Sequence, residues 1–201
     1  MKRTVEEHAS RFDDHAADYD ESQDSEEYKA CASLVIEHAD PDPEDTVLDI
    51  GCGTGAIALA LAPDAKRVVG RDISEGMMEK AREKAEQQGL DNVEFGEGRF
   101  REPDYNDPVD IVVSNFAMHH LADEEKREAI ETIAGLGPQK VVLGDVMFFG
   151  EPDPDEPFYS PEVDVPATVG TLVEAFTAAG FAITHAQRVH DQVGVLVAER
   201  R

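Results

Sequence analysis

The sequence predicts an α/β fold, an open and mostly parallel sheet behind an N-terminal helical cap. Two observations carry that expectation. Short β-type runs alternate with helical stretches through the middle of the chain, and the first run passes through a glycine loop into a helix. A third observation adds an antiparallel member, because two strand-like runs at the end are separated by so short a link that they must pair antiparallel.

The elements follow in order. Residues from about Val5 to Ala39 read as helical and acidic, with Tyr28, Cys31, Ala32, Val35 and Ala39 recurring on one apolar stripe. Pro41 and Pro43 disfavour helix in the residues before them, so a cap over 1–43 separates from an α/β core over 44–201. Thr46–Ile50 is the first strand, Gly51 to Gly55 the loop, and Ala56–Leu61 the helix. Val68–Asp72 is the second strand. Ser74 is placed to cap a helix whose Met77, Met78, Ala81 and Ala85 face the sheet, and Gly89 is placed to end it. Val93–Phe95 is a brief third strand, and Val109–Ser114 is a fourth, apolar enough to be buried on both faces. Asp123 caps the next helix, which presents Ile130 and Ile133 and ends near Gly135. Val141–Asp145 is the fifth strand. Gly150 to Pro166, rich in proline and carboxylates, reads as a loop without regular structure. A helix carrying Val169, Leu172, Val173, Phe176 and Ala179 ends at Gly180, and 181–188 and 192–199 form the terminal hairpin.

The chain has 201 residues, enough for one sizeable core and a single domain over 1–201. Forty-four acidic against 18 basic residues give a formal net charge of -26. The acids are spread along the chain between apolar segments, which favours a solvated globular surface over an acidic partner-binding face or a disordered tail. Near 1 M salt the Debye length falls to ~3 Å, so such a surface suits a salt-rich, halophile-like cytoplasm. Direct nucleic-acid binding is disfavoured by the lack of a Lys and Arg cluster. The apolar runs are too short for a membrane span, and no signal peptide is expected. Cys31 and Cys52 read as small buried thiols of a reducing cytoplasm. Nothing in the residues signals an oligomeric state.

In an open α/β sheet, ligands settle beyond the carboxyl ends of the strands, where the glycine loop lies. Gly51, Gly53 and Ala56 satisfy a dinucleotide spacing. Asp49 argues against a dinucleotide, because its carboxylate would face a pyrophosphate that wants neutral or positive donors. A cationic, phosphate-free cofactor tolerates it. Asp72 ends the second strand roughly 20 residues after Gly51, where a carboxylate can accept hydrogen bonds from ribose hydroxyls. A helix N-terminal acid stabilised by the dipole is a compatible reading of the same residue.

Val47-Leu48-Asp49-Ile50-Gly51-Cys52-Gly53-Thr54-Gly55 resembles the first motif of class I S-adenosylmethionine-dependent methyltransferases, and Val69-Gly70-Arg71-Asp72-Ile73-Ser74 resembles their second. Asp110 to Leu121 is similar to the fourth-strand motif of the small-molecule branch, and Phe12 to Tyr19-Asp20 is similar to the N-terminal element of the ubiquinone, menaquinone and biotin-pathway enzymes. The resemblance implies a Rossmann-like seven-stranded sheet of order 3-2-1-4-5-7-6 and S-adenosyl-L-methionine as cofactor. It implies that Asp49 with Gly51, Cys52, Gly53, Thr54 and Gly55 holds the methionine end, Asp72 the ribose and Ile73 one adenine face. Asn115 and Phe116 then form the rim near the methyl group, Tyr19 lies over the cofactor, and Met77, Gly98, Arg99 and Phe100 complete the cofactor-binding set. One position departs from the pattern: Arg99 stands where the family places an acid for the adenine amino group, and arginine cannot accept that bond. Phe100 or a backbone group is then left to make the contact.

The weaker signals are histidines. His119 and His120 lie just past the fourth strand, where catalysis competes with packing or helix initiation, and with Tyr19 they are the catalytic candidates. No metal is expected, because adjacent side chains diverge and no spaced ligand set joins them. His8, His15, His38, His185 and His190 default to solvent. Cys52 reads as a small loop residue. Ser114-Asn115-Phe116-Ala117 is not the Asn-Pro-Pro-aromatic signature linked to methylation of nucleic-acid bases, which points to a small-molecule acceptor. The acidic loop over 150–166 reads first as a solvated loop, with an acceptor-pocket cover through Phe158 and Tyr159 as the alternative. Two rivals stand beside a methyltransferase: a cofactor-binding protein without turnover, and a nicotinamide-dependent oxidoreductase.

Overall fold

The computed structural model describes residues 5–16, 18–23, 25–151 and 157–201. Ala17 of the N-terminal motif and residues 152–156 of the acidic loop lie outside the described residues.

Helix α1 (Val5–His15), the four-residue α2 (Tyr19–Ser22) and α3 (Glu26–Ala39) divide the predicted N-terminal helical region into three pieces. Ser25 starts α3 by accepting the Tyr28 amide at 3.1 Å, and Asp40 ends it in the left-handed region with φ 37, just ahead of Pro41. The core is β1 (Thr46–Ile50), α4 (Ala56–Leu61), β2 (Arg67–Asp72), α5 (Glu75–Gln88), β3 (Val93–Glu97) and β4 (Ile111–Asn115). It continues with α6 (Asp123–Gly135), β5 (Lys140–Phe148), β6 (Ala167–Thr168), α7 (Val169–Ala178), β7 (Phe181–His190) and β8 (Val193–Arg200).

The strands lie in the order β3-β2-β1-β4-β5-β8-β7, parallel from β3 to β5 and antiparallel through β8 and β7. With β6 set aside, this is the predicted order. The strand missed in the sequence is β6, two residues that pair parallel with Met147 and Phe148. A bridge so short, directly after Pro166, has no room for an alternating pattern and merges with the loop before it.

Alternation along β1 distributes the core between two layers. Leu48 and Ile50 join Val112, Leu143, Ile130, Ile133, Leu172 and Phe176 under α6 and α7. Val47 joins Val68, Ile111, Val113 and Val142 under α3 and α4, where Cys31, Val35, Ile57, Ala58 and Leu61 pack. Asp49 belongs to this second face, and that places its carboxylate beneath the start of α4. At β5 the helix α3 comes so close that a Cβ on Gly144 would lie 2.5 Å from Asn115 Oδ1 and 2.7 Å from Cys31 Sγ. Cys31 and Cys52 are buried free thiols.

Local signals behave as expected at α5, where Ser74 accepts the Met77 amide at 3.2 Å and Gly89 closes the helix at φ 66. At α6 the expectation is corrected. Asp123 is the first helical residue rather than the cap, and the cap amide, that of Ala122, is taken by the Glu125 carboxylate at 2.8 Å. Among the described residues no helix is long and apolar enough to cross a membrane.

Candidate functional site

The carboxyl ends of β1, β2 and β4 open into one crevice, roofed by α1 and α2. Counting the space open at its mouth, it holds about 1270 Å³.

The glycine loop is its floor. Gly51 and Cys52 both donate their amides to the Arg71 carbonyl, at 2.7 and 3.1 Å, which fixes the end of β1 against β2. Gly51, Gly53 and Gly55 have φ of 75, 51 and 82, a region that glycine enters at no steric cost. A Cβ on Gly51 would overlap the Ala117 methyl, so the loop and the β4 turn can approach only here. Gly55 faces the other way, against Ala81 and Phe95, and does not line the crevice; its contribution is the left-handed turn that starts α4.

Asp49 and Asp72 share the crevice. Asp49 is fully buried and accepts the Ala58 amide at 3.2 Å. Burial raises its pKa to about 7, against the lowering effect of that hydrogen bond and with help from the charge of Asp72. Asp72 accepts Gly53 N–H at 2.8 Å on Oδ2 and Ser74 N–H at 2.9 Å on Oδ1. Its pKa is raised as well, because burial outweighs the backbone donors. Two carboxylates with elevated pKa values in one crevice form a site that gains from a cation.

The remaining predicted residues fall around these acids. Cys52, Gly53, Thr54, Ile73, Met77, Gly98, Arg99, Phe100, Asn115, Phe116 and Tyr19 all line the crevice. Thr54 donates to Asp20 at 2.5 Å, and Asp20 pairs with Lys84, so α2 is fastened to both the loop and α5. Burial keeps Tyr19 and Tyr28 protonated, the latter with its pKa pushed up to about 12. Asn115 presents a buried amide whose Nδ2 and Oδ1 make no hydrogen bond of good geometry, with the Tyr28 hydroxyl as its neighbour. Phe116 turns out of β4 at φ 53, a conformation rare for a non-glycine residue, and is held by its amide on the Gly144 carbonyl at 2.8 Å. Arg99 pairs with Glu102 at 3.2 Å, and its amide donates to the Glu102 carbonyl, while the Gly98 amide is taken by the Asp72 carbonyl.

The histidines require three corrections. His8 is buried rather than solvated, and its ring lies 5.2 Å from that of His120. His119 is buried behind the crevice wall and does not line it, whereas His120 does. Their side chains also do not diverge: a single 3-10 turn over Met118–His120 holds the two rings with centroids 4.1 Å apart. His119 Nδ1 meets Asp145 at 2.5 Å, and His120 Nδ1 meets Asp164 at 2.7 Å. Nitrogen and oxygen atoms of His119, His120 and Asp164 come within 4.8 Å of one another, a proximity that adjacent positions alone do not suggest. Burial pulls both imidazoles toward neutrality. At His119 the charge of Asp145 and its hydrogen bond outweigh burial and raise the pKa, while at His120 burial and the neighbouring His119 prevail and lower it.

Sequence reasoning missed the α1 and α3 side chains in the wall. Val5, His8, Phe12 and Tyr28 line the crevice, as do Glu125 and Arg101. A signal existed for Phe12 in the N-terminal motif and for Tyr28 in its helical stripe. For His8 there was none, because one histidine in an acidic helix carries no spacing. Phe158 and Tyr159 do not line the crevice: Phe158 packs 6.3 Å from the Phe116 ring and Tyr159 5.7 Å from that of Phe148.

A methyltransferase-domain family model matches residues 47–136. An uncharacterized methyltransferase of Bacillus velezensis is 31% identical over 170 residues, covering 77% of this chain and 78% of the relative. One of Oceanobacillus iheyensis is 36% identical over 149 residues, covering 68% of this chain and 66%, just under two thirds, of the relative. Among solved structures, the complex of DhpI with S-adenosylhomocysteine superposes with a TM-score of 0.74 at 22% identity, covering 98% of this chain and 96% of that one. With the motif-bearing loop, the paired acids and the strand order in place, this chain belongs to the class I S-adenosylmethionine-dependent methyltransferases.

Proposed function

We propose that the chain transfers the methyl group of S-adenosylmethionine to a small-molecule acceptor. The observation that carries this reading is the pair Asp49 and Asp72, buried at the bottom of one open crevice with raised pKa values. A cofactor that brings a cationic ammonium and sulfonium and no phosphate relieves that burden, and a dinucleotide pyrophosphate adds to it.

When bound, the cofactor supplies an electrophilic methyl group, so what remains for the protein is alignment and exclusion of water. Asp49 and the loop from Gly51 to Thr54 hold the methionine end. Asp72 retains acceptor capacity beyond its two backbone donors for ribose hydroxyls. Ile73, Met77 and Phe100 give the adenine apolar surfaces, and the Asn115 amide offers a donor and an acceptor near the rim. Tyr19 stands over Gly53, its Cε1 being 4.0 Å from where a Cβ would lie, and closes the roof. The likeness to a fold seen with S-adenosylhomocysteine bound supports the same occupant.

A small-molecule acceptor is supported by the roof of α1 and α2 over the crevice and by the net charge of -26, which repels nucleic-acid phosphates. The same charge supports a working environment in a salt-rich cytoplasm. The test is incubation with methyl-labelled cofactor and a cell extract, followed by separation of small molecules, protein and nucleic acid. Label in the small-molecule fraction is expected. Tight cofactor binding without label in any fraction selects a binding protein without turnover, and label confined to protein or nucleic acid rejects the acceptor class.

A further inference from the structure

We propose that His120 and Asp164 form a general-base dyad, with His120 the catalytic residue and Asp164 its positioning residue, serving an acceptor that arrives as a hydroxyl on an apolar body. The inference rests on the methyl-transfer reading above and adds to it the acceptor chemistry and the group that takes the proton.

Asp164 lies on the stretch over 157–166 that returns to the crevice wall, and that stretch is pinned. Val165 donates its amide to the His119 carbonyl at 2.8 Å, and the buried Lys126 donates to the carbonyls of Val165 and Leu121. Ser160 donates its amide to Asp164 Oδ2 at 2.8 Å, which leaves Oδ1 directed at His120 Nδ1, 2.7 Å away. The Asp164 pKa is lowered, and an ionised carboxylate can only accept from the imidazole, so in the neutral ring Nδ1 carries the hydrogen and Nε2 the lone pair. The ring itself lines the crevice beside Ala117 and Leu121.

Burial, with the neighbouring His119, keeps this histidine neutral against the raising pull of Asp164 and Asp145. His119 beside it is the imidazole with the raised pKa, buried on Asp145, while burial and His119 depress that of His120. Two like groups whose surroundings drive them apart in this way mark an acid-base assignment. His8 on α1 covers the ring at 5.2 Å and Phe12 at 5.6 Å, with Glu125 elsewhere on the same wall. Apolar and aromatic walls from Phe12 and Phe116 suit the body of the acceptor.

In the step so derived, the acceptor hydroxyl gives its proton to His120 Nε2 while an oxygen electron pair forms the bond to the methyl carbon. The carbon–sulfur pair stays on sulfur as a neutral thioether, and the imidazolium later returns its proton to water. Charge balances, since one sulfonium cation is exchanged for one imidazolium.

The experiment has two arms. In the first, long-range 1H–15N spectra of histidine-labelled protein with S-adenosylhomocysteine, assigned with His120→Gln, read the His120 tautomer at neutral pH and need no acceptor. Hydrogen on Nδ1 alone is expected, with a mixture of tautomers in Asp164→Asn; hydrogen on Nε2, or an unchanged spectrum in Asp164→Asn, overturns the dyad. In the second arm, labelled transfer to the small-molecule fraction is expected to fall about 100-fold in His120→Gln, with S-adenosylhomocysteine affinity kept within about two-fold, because no cofactor contact is assigned to His120. Transfer in His120→Gln equal to the unaltered protein overturns the dyad alone. Loss of transfer on chelation with recovery on adding zinc or magnesium overturns it in favour of a metal held by the same side chains. Absence of transfer in the unaltered protein overturns the methyl-transfer reading, and the tautomer arm still decides how Asp164 and His120 are paired.

Discussion

Asp72 accepts the Gly53 amide at 2.8 Å, so the acid at the end of β2 holds the turn of the glycine loop that follows β1. Its other oxygen takes the Ser74 amide at the start of α5, and one carboxylate thereby fixes three elements around the crevice. Asp72→Ala strips two backbone donors of their partner, at about 1–3 kcal/mol for each that stays buried. A melting temperature lower by several degrees is expected in Asp72→Ala, with Asp72→Asn intermediate, because its single amide oxygen accepts one of the two amides while its NH2 faces the other. Thermal denaturation of both variants checks this, and equal melting of Asp72→Ala and the parent argues against the latch.

Asp49 links pH to both stability and cofactor affinity. Its folded pKa of about 7 lies above the unfolded value, near 3.9. The folded chain therefore holds a proton that the unfolded chain has released, and the contribution of Asp49 to stability falls as pH rises from about 4 to 7. Asp49→Asn removes that penalty and is expected to melt a few degrees higher at pH 8, since about 1 kcal/mol corresponds to 2–4 °C in a chain of this size. Cofactor affinity runs the opposite way, because the cation pairs with the ionised acid. Binding of S-adenosylhomocysteine is expected to weaken below pH 7 by up to about ten-fold per pH unit, and calorimetry in Asp49→Asn should show that slope removed.

The roof is fastened at Asp13, which accepts from the Ser74 hydroxyl at 2.6 Å and the Gly76 amide at 2.9 Å. Loss of a capping acceptor costs about 0.5–2 kcal/mol. Asp13→Ala is thus expected to free α1 from α5 and weaken S-adenosylhomocysteine by roughly 2- to 30-fold, with faster proteolysis within α1. An unchanged affinity and cleavage pattern would show that α1 is held by other contacts.

The surface charge of -26 makes a prediction about salt. Between 0.1 M and 1 M the Debye length shrinks from ~10 Å to ~3 Å, which screens most of the repulsion between neighbouring acids. Melting is expected to rise by several degrees over that range of KCl. A flat profile would remove the halophile reading.

Much of this was legible in the sequence, for identifiable reasons. The glycine loop, the Ser74 cap and the Gly89 terminator are local chemistry, and each stands where the residues place it. Asp49 and Asp72 were legible because strand ends and parallel order bring their side chains to one edge. What escaped depends on contacts between segments far apart in sequence. Asp164 reaches His120 across 44 positions, from a stretch whose composition speaks only of solvent. His8 enters the wall because α1 folds back over the crevice, and no periodicity announces where a cap will land. The two-residue β6 is too short to carry a pattern of its own.

The central claim is that Asp49 and Asp72 together hold a cationic, phosphate-free nucleoside. Calorimetric titration of S-adenosylhomocysteine into the parent, Asp49→Asn and Asp72→Asn, in about 1 M KCl at pH 8, tests it most directly. One equivalent should bind the parent, and each variant should bind roughly ten-fold to a thousand-fold more weakly. Equal affinity in all three proteins, or no binding to the parent, would contradict it.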